Sequence, residues 1–282
     1  MIPYPSIDPV AFRVGPLAVR WYGIAYLLGF LSAAHILRRL ARTGRAALAE
    51  AEVGDLVGWL ALGVILGGRM GYVLFYNLPY FAAQPWKIVA VWEGGMSFHG
   101  GLAGVAAAAW GYARRRNLPL LGLADALAVA TPPGVFFGRL ANFVNGELYG
   151  RVADVPWAMV FPGGGPLPRH PSQLYEAVLE GPLLGLVVWW FWKRFPQRGA
   201  ATSAFLAGYG IVRFAVEFTR QPDPQLGFVA GPFTMGQLLS LAMVAAGAWI
   251  WGTRRRGKGP AGEPGAAASG ARTQKTGDRA GP

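Results

Sequence analysis

The sequence contains no cysteine, which excludes disulfide staples, thiolate metal sites and a cysteine nucleophile of its own. Any sulfur chemistry the chain performs must use a thiol supplied by another molecule. Charge is scarce as well. Asp, Glu, Lys and Arg make up 14% of the 282 residues, against about 25% in an average soluble chain. With hydrophobic residues at 53%, a fold built for water alone is excluded. Histidine is limited to three scattered residues, and no H-E-x-x-H occurs, so no metal and no cofactor is expected. Acidic residues are the scarcer sign, 14 against 26 Lys and Arg, for a net charge of +12. Such a surplus suggests nucleic acid unless its position along the chain explains it otherwise. What is plentiful is 41 Gly, 11 Trp, 10 Tyr and 16 Phe, a composition that fits membrane spans and their interfaces.

A hydrocarbon core about 30 Å thick needs about 20 mostly apolar helical residues. Seven segments meet this description: Trp21 to Leu37, Gly54 to Tyr76, Gly95 to Tyr112, Leu121 to Phe143, Leu174 to Trp192, Thr202 to Phe218 and Phe233 to Trp251. The sequence therefore predicts an all-α polytopic membrane protein with seven transmembrane helices. Tyr80 to Trp92 is too short and polar to span, and its aromatics suit a segment lying in the interface. Met1 to Arg20, with Pro3, Pro5, Asp8 and Pro9 ahead of any apolar run, is not a secretory signal peptide.

The basic residues sort by connection. Arg38, Arg39, Arg42 and Arg45, then Arg114 to Arg116, then Lys193, Arg194 and Arg198, and seven more after Trp251 fall on one side. Those seventeen face only Arg13, Arg20, Lys87, Arg151, Arg169 and Arg220 on the other. Basic residues are retained in the cytoplasm, so the N-terminus is expected outside and the C-terminus cytoplasmic. Topology and the anionic inner leaflet thus account for the charge, and no nucleic-acid partner is expected. Residues 1–256 read as one transmembrane catalytic domain with small outer segments at 77–94, 144–173 and 219–232. Gly257 to Pro282, rich in Gly, Ala, Pro and charge, reads as a disordered cytoplasmic tail.

Three arginines remain, Arg69, Arg139 and Arg213, each inside an apolar segment. Such a placement costs about 2.5 to 3.5 kcal/mol on insertion scales and by default marks a site with a partner. On the expected topology all three lie in the outer half of the membrane. So do Tyr22, His99, Glu147, Glu176 and Glu180. Guanidinium suits phosphate oxygens, and a phospholipid headgroup is an anion already at that depth. Pro132-Pro133-Gly134 near the middle of the fourth span removes backbone donors and predicts a kink.

Two local motifs add to this. Glu93-Gly94-Gly95-Met96-Ser97-Phe98-His99-Gly100-Gly101-Leu102-Ala103-Gly104 sets a histidine among glycines, where a ligand can approach closely. The same Gly100 and Gly104 also read as a small-xxx-small packing face. Gly138-Arg139-Leu140-Ala141-Asn142-Phe143-Val144-Asn145-Gly146-Glu147-Leu148-Tyr149-Gly150-Arg151 concentrates two Arg, two Asn and a Glu at one helix exit.

Together with Arg20-Trp21-Tyr22-Gly23, Gly67-Gly68-Arg69-Met70-Gly71-Tyr72, Arg169-His170-Pro171-Ser172-Gln173-Leu174-Tyr175-Glu176 and Tyr209-Gly210-Ile211-Val212-Arg213-Phe214 through Glu217, Arg220, Gln221 and Pro222, these motifs resemble the phosphatidylglycerol:prolipoprotein diacylglyceryl transferase family of bacterial inner membranes. The resemblance covers nearly the whole chain except the tail. One departure is that only Gly163-Gly164-Gly165-Pro166 separates Phe161-Pro162 from Leu167-Pro168-Arg169, where similar proteins can carry a longer outer segment.

The resemblance implies transfer of the sn-1,2-diacylglyceryl group from phosphatidylglycerol to the lipobox cysteine of a prolipoprotein, with release of glycerol 1-phosphate. It implies a multi-pass protein of the inner membrane with its site towards the periplasmic face. His99, Arg139 and Arg213 are the expected catalytic residues. Tyr22, Arg69, Asn142, Asn145, Glu147, Tyr209, Glu217 and Arg220 are the expected substrate-binding ones. An intramembrane serine protease fits less well, since Ser97 lacks a flanking G-x-S-x-G. A transporter would place its charges across the midplane and usually repeat itself. A lipid-binding scaffold is separated from the transferase by turnover.

Overall fold

A computed structural model of the chain describes residues 2–221 and 228–256. The expected tail, 257–282, and residues 222–227 of the third outer segment lie outside the described residues.

The apolar segments form helices where the hydropathy pattern places them. An N-terminal hairpin, β1 (Val10–Val14) and β2 (Leu17–Arg20), turns at Gly15, whose φ of +58° suits glycine. It runs directly into α1 (Trp21–Arg42), where the Trp21 amide donates to the Pro9 carbonyl. α2 (Val53–Phe75) is followed by a short helix, α3 (Leu78–Ala83), and two 3₁₀ turns at Pro85–Val89 and Val91–Glu93. α4 (Phe98–Arg115) begins at Ser97, whose hydroxyl accepts from the Gly100 amide and caps the first turn.

The predicted fourth span is two helices, α5 (Leu120–Ala130) and α6 (Pro132–Val144), bent by 43°. The bend falls where Pro132 and Pro133 supply no amide donors and are instead tolerated as the opening residues of α6. The predicted fifth span contains α7 (Ser172–Val178) and α8 (Leu184–Arg194), joined by a π turn over Leu179–Leu183. Gly181 in this turn has φ −89° and ψ −107°, and Pro182 follows it, so the regular hydrogen-bond ladder cannot continue. α9 (Ala200–Val216) leads towards a second hairpin, β3 (Phe228–Ala230) with β4 (Phe233–Thr234), and then α10 (Met235–Arg256). The two hairpins depart from a strictly all-α reading.

Four helical segments are long and apolar enough to cross a membrane: Trp21–Arg42, Glu50–Phe75, Ser172–Arg194 and Met235–Arg254. The bent α5–α6 pair makes a fifth if it counts as one span, and the apolar α9 is shorter. α4 is built largely of Gly and Ala, which dilute its hydropathy. The chain is therefore a mostly helical membrane protein. Only 17 to 33% of each apolar window is buried within the protein, so the greater part of those surfaces needs lipid to cover it.

Small residues let the helices approach. α2 and α4 meet along Gly63, Gly67 and Gly71 against Gly100 and Gly104. A Cβ on Gly67 would fall on the Gly100 carbonyl oxygen, and one on Gly104 on that of Gly63. This is the small-xxx-small face read from the sequence. α9 and α10 pack the same way, with Gly210 against Ser240 and Val244, and Gly247 against Ser203 and Ala207.

The two ends of the bundle differ in kind. Leu37, Leu40, Leu56, Leu123, Val188 and their neighbours form an apolar core reaching the end opposite the N-terminal hairpin. That end is clasped by Asp125, which accepts from the Gly199 amide at 2.6 Å and from the Thr202 amide and hydroxyl at 2.8 and 2.7 Å. Asp125 thus caps the start of α9 from a different helix. Arg45 adds a bond to the Phe195 carbonyl and lies over the Trp192 ring. The other end, where the hairpins and loops gather, is polar.

Candidate active site

The polar end is assembled from segments far apart in sequence. Tyr4 donates to the Phe143 and Val144 carbonyls at 2.7 and 3.1 Å and so closes the exit of α6. Single β-bridges join Gly150 to Arg220, and Arg169 to both Val152 and Met159. These connections tie the 144–173 segment to the end of α9.

Beneath them lies a buried ionic cluster. Arg139 of α6 contacts Glu176 at 3.2 Å and Glu180 at 3.0 Å, with the Tyr209 hydroxyl accepting at 3.5 Å. Arg213 of α9 pairs with Glu217 at 2.5 Å and with Glu176 at 3.5 Å. Arg220 reaches Glu176 at 3.2 Å. Glu176 and Glu180 are fully buried, one helical turn apart, which sets both carboxylates on one face of the 172–194 helical segment. Glu217 also accepts from the Thr234 hydroxyl at 2.8 Å, joining the end of α9 to the start of α10.

Beside this cluster Asn142, 5% exposed, donates from Nδ2 to the Tyr22 hydroxyl at 3.0 Å and to Glu147 at 2.9 Å. The amide thus links α1, α6 and the loop beyond it. Gln173 holds the Glu147 carbonyl at 2.7 Å, and Ser172 holds that of Leu148 at 3.1 Å. Leu148 adopts φ +58°, a strained conformation for a leucine that these two bonds help to fix. The buried Asn145 Oδ1, Gln173 Oε1 and Glu180 Oε1 have no hydrogen-bond partner among the described residues. Acceptors left in this way inside a protein suit a ligand that donates hydrogen bonds, such as one bearing hydroxyls.

Of the residues expected from the sequence, Arg139, Arg213, Tyr209, Glu217 and Arg220 come together in the ionic cluster. Tyr22, Asn142 and Glu147 form the adjoining group. Arg69 does not join either. Its Nε donates to the Ile88 carbonyl, one terminal nitrogen to Gly94 and Gly95, and the other to Lys87 and Ala90, at 2.5 to 3.1 Å. Every guanidinium proton is used on backbone, and the head lies 5.0 Å from the centre of the Phe81 ring. The third arginine of the cluster is Arg220 instead. His99, on the exposed first turn of α4, has a ring contact with Phe98 at 5.6 Å and no hydrogen bond or ion pair among the described residues.

Glu176 and Glu180 complete the cluster although the sequence assigns neither to the site. Their spacing and burial in an apolar span were the available signal; that both face Arg139 depends on how distant helices pack.

A group of rings lies on the exposed side of this end. The Trp157 indole N–H donates to the Tyr175 hydroxyl at 2.6 Å, and that hydroxyl lies 3.1 Å from His170 Nδ1. The hydroxyl accepts the indole proton and bonds Nδ1 as donor or acceptor according to the imidazole tautomer. Burial holds the His170 imidazole below its ordinary value.

The sequence profile of prolipoprotein diacylglyceryl transferase matches residues 9–253. The chain belongs to the prolipoprotein diacylglyceryl transferase family. It is 54% identical over 264 residues to the phosphatidylglycerol–prolipoprotein diacylglyceryl transferase of Nitratidesulfovibrio vulgaris, covering 93% of this chain and 99% of that protein. The transferase of the same name from Geobacter sulfurreducens is 57% identical over 244 residues, 86% of this chain and 94% of its own length. That of Rhodospirillum rubrum is 52% identical over 263 residues, 91% and 96% respectively. The matched region of the transferase family contains the whole ionic cluster and the Tyr22–Asn142–Glu147 group.

Proposed function

We propose that this chain transfers the sn-1,2-diacylglyceryl group of phosphatidylglycerol to the lipobox cysteine of prolipoproteins, the first step of lipoprotein maturation. The observation that carries this reading is a buried arginine–glutamate cluster at one end of an apolar bundle, in a member of the transferase family. We further propose seven spans, with α4 and α9 crossing alongside the five more apolar segments. The N-terminus lies outside, the C-terminus in the cytoplasm, and the site faces the outer side of the bacterial inner membrane.

In this reading the acceptor supplies the sulfur that the chain lacks. The thiolate attacks the glycerol carbon that carries the phosphate, a carbon–sulfur bond forms, and the carbon–oxygen bond breaks. The oxygen keeps its electron pair and leaves on glycerol 1-phosphate. A thiol with an ordinary pKa of about 8.5 must first lose its proton, and His99, with no hydrogen-bond or ion-pair partner among the described residues, is the base available for it. Arg139 and Arg213 bind the phosphate and stabilise the negative charge that grows on it, in a site poor in water. Tyr22, Asn142, Asn145 and Glu147 line the headgroup pocket and meet its hydroxyls. Arg69 acts at a distance, by folding the 87–95 segment that leads to Ser97 and His99.

The test is to incubate purified protein with phosphatidylglycerol and a lipobox peptide, with a Cys→Ser peptide as control, and weigh the products. A diacylglyceryl mass gain on the cysteine peptide alone, with glycerol phosphate released, is the expected result. No gain from folded, lipid-binding protein would sink the transferase reading in favour of a transporter or receptor.

A further inference from the structure

Glu176 touches three guanidiniums, those of Arg139 and Arg220 at 3.2 Å and that of Arg213 at 3.5 Å. No other carboxylate among the described residues pairs with more than one cation of the cluster. Arg139 is also held by Glu180 and Arg213 by Glu217, so each of these two keeps a second anchor of its own. Three arginines against three glutamates sum to zero.

That balance bears on turnover. Unpaired guanidiniums in a dry site bind anions strongly. The donor lipid brings a phosphodiester with one negative charge, whereas the product is a monoester carrying about −1.5 to −2 at pH 7. Arginines left free to bind the first would hold the second more tightly still, and the site would fill with product.

We propose that Glu176 is an internal counter-ion. It occupies the shared edge of the three guanidiniums, fixes their spacing, and competes with phosphate oxygens so that glycerol phosphate leaves. It is a positioning residue, and the idea rests on the phosphate-binding reading above. Glu180 and Glu217 hold the scaffold of the cluster, while Glu176 sets how strongly it binds anions.

The experiment compares wild type with Glu176→Gln, which keeps the volume and one acceptor oxygen. Both are purified in lipid nanodiscs, and binding of inorganic phosphate and of sn-glycerol 1-phosphate is measured by calorimetry. The dissociation constants are expected to fall about tenfold, the lower end of what one charge-assisted contact is worth. In the transferase assay kcat falls, and product inhibition strengthens by the same factor. A purely structural role predicts the opposite sign, weaker anion binding together with a lower melting temperature. Unchanged or weaker binding by folded Glu176→Gln overturns the proposal. Should that variant not fold, Glu176→Gln is added to Arg220→Gln, which removes a charge pair rather than a single charge. The double variant must bind phosphate more tightly than Arg220→Gln alone, and equal or weaker binding is again fatal. Anion binding without transfer to a lipobox peptide would overturn the transferase reading and leave the counter-ion in place. Transfer with no gain in anion affinity would do the reverse.

Discussion

Arg139 meets Glu176, Glu180 and Tyr209 at once, with its terminal nitrogens and Nε all engaged. A lysine there keeps one charge but loses the planar fork. Arg139→Lys is therefore expected to lower turnover about 100-fold or more, the scale of losing one preorganised donor, in an assay per folded molecule. At His99 the expectation depends on pH. If the imidazole takes the thiol proton, His99→Asn regains activity at high pH, where the thiol ionises unaided, and a pH–rate profile reads this directly. Equal loss at every pH would assign His99 a positioning role. His170 makes a prediction for stability. Its folded value is depressed by burial, so the neutral form stabilises the fold fully above the unfolded value of about 6.5. That contribution is lost as pH falls through the lower folded value. Thermal unfolding in detergent should show a melting temperature that drops as pH falls from about 6.5 through that lower value, with a shallower drop in His170→Gln. The sequence made Arg139 and Arg213 legible because a charge inside an apolar run is costly. It could not reveal that Arg69 spends its donors on five carbonyls, since backbone acceptors leave no mark in a side-chain pattern.

The helices carry their own constraints. Gly63, Gly67 and Gly71 press against Gly100 and Gly104 so closely that a single methyl has no room. Gly67→Ala is expected to destabilise the α2–α4 pair by about 1 to 3 kcal/mol, the usual cost of overpacking. Because α4 presents His99, the same change should lower activity beyond the loss of folded protein, as retained activity per folded molecule would show. The 43° bend at Thr131 could be read ahead from two consecutive prolines. The π turn at Leu179–Leu183 escaped the same reasoning, although Gly181-Pro182 marks it. A glycine and proline in an apolar span signal irregularity without saying which residues it turns inward. The first hairpin also escaped, since its few alternating residues sit between prolines and an apolar helix that dominates the hydropathy.

For the molecule as a whole, the absence of cysteine becomes a tool. Single cysteines at Thr43 and Gly165 report sidedness against no background. With the N-terminus outside, a membrane-impermeant thiol reagent should label Gly165→Cys in intact cells and Thr43→Cys only after permeabilisation; the reverse pattern would invert the topology. The mostly helical character and the order of the helices were readable in the sequence, whereas the pairing of α1 with α6 and of α9 with α10 arises from packing. That pairing also governs how the protein can be made. Arg139 leaves the ribosome 41 residues ahead of Glu180 and 70 ahead of Tyr209. During that interval its span enters the bilayer with a charge that nothing yet neutralises, at about 2.5 to 3.5 kcal/mol if centrally placed. Its neutralising partners exist only once Glu176 and Glu180 have been made. The ion pairs of the finished site thus join parts of the chain made at different times, and those of Arg139 wait on the 172–180 segment.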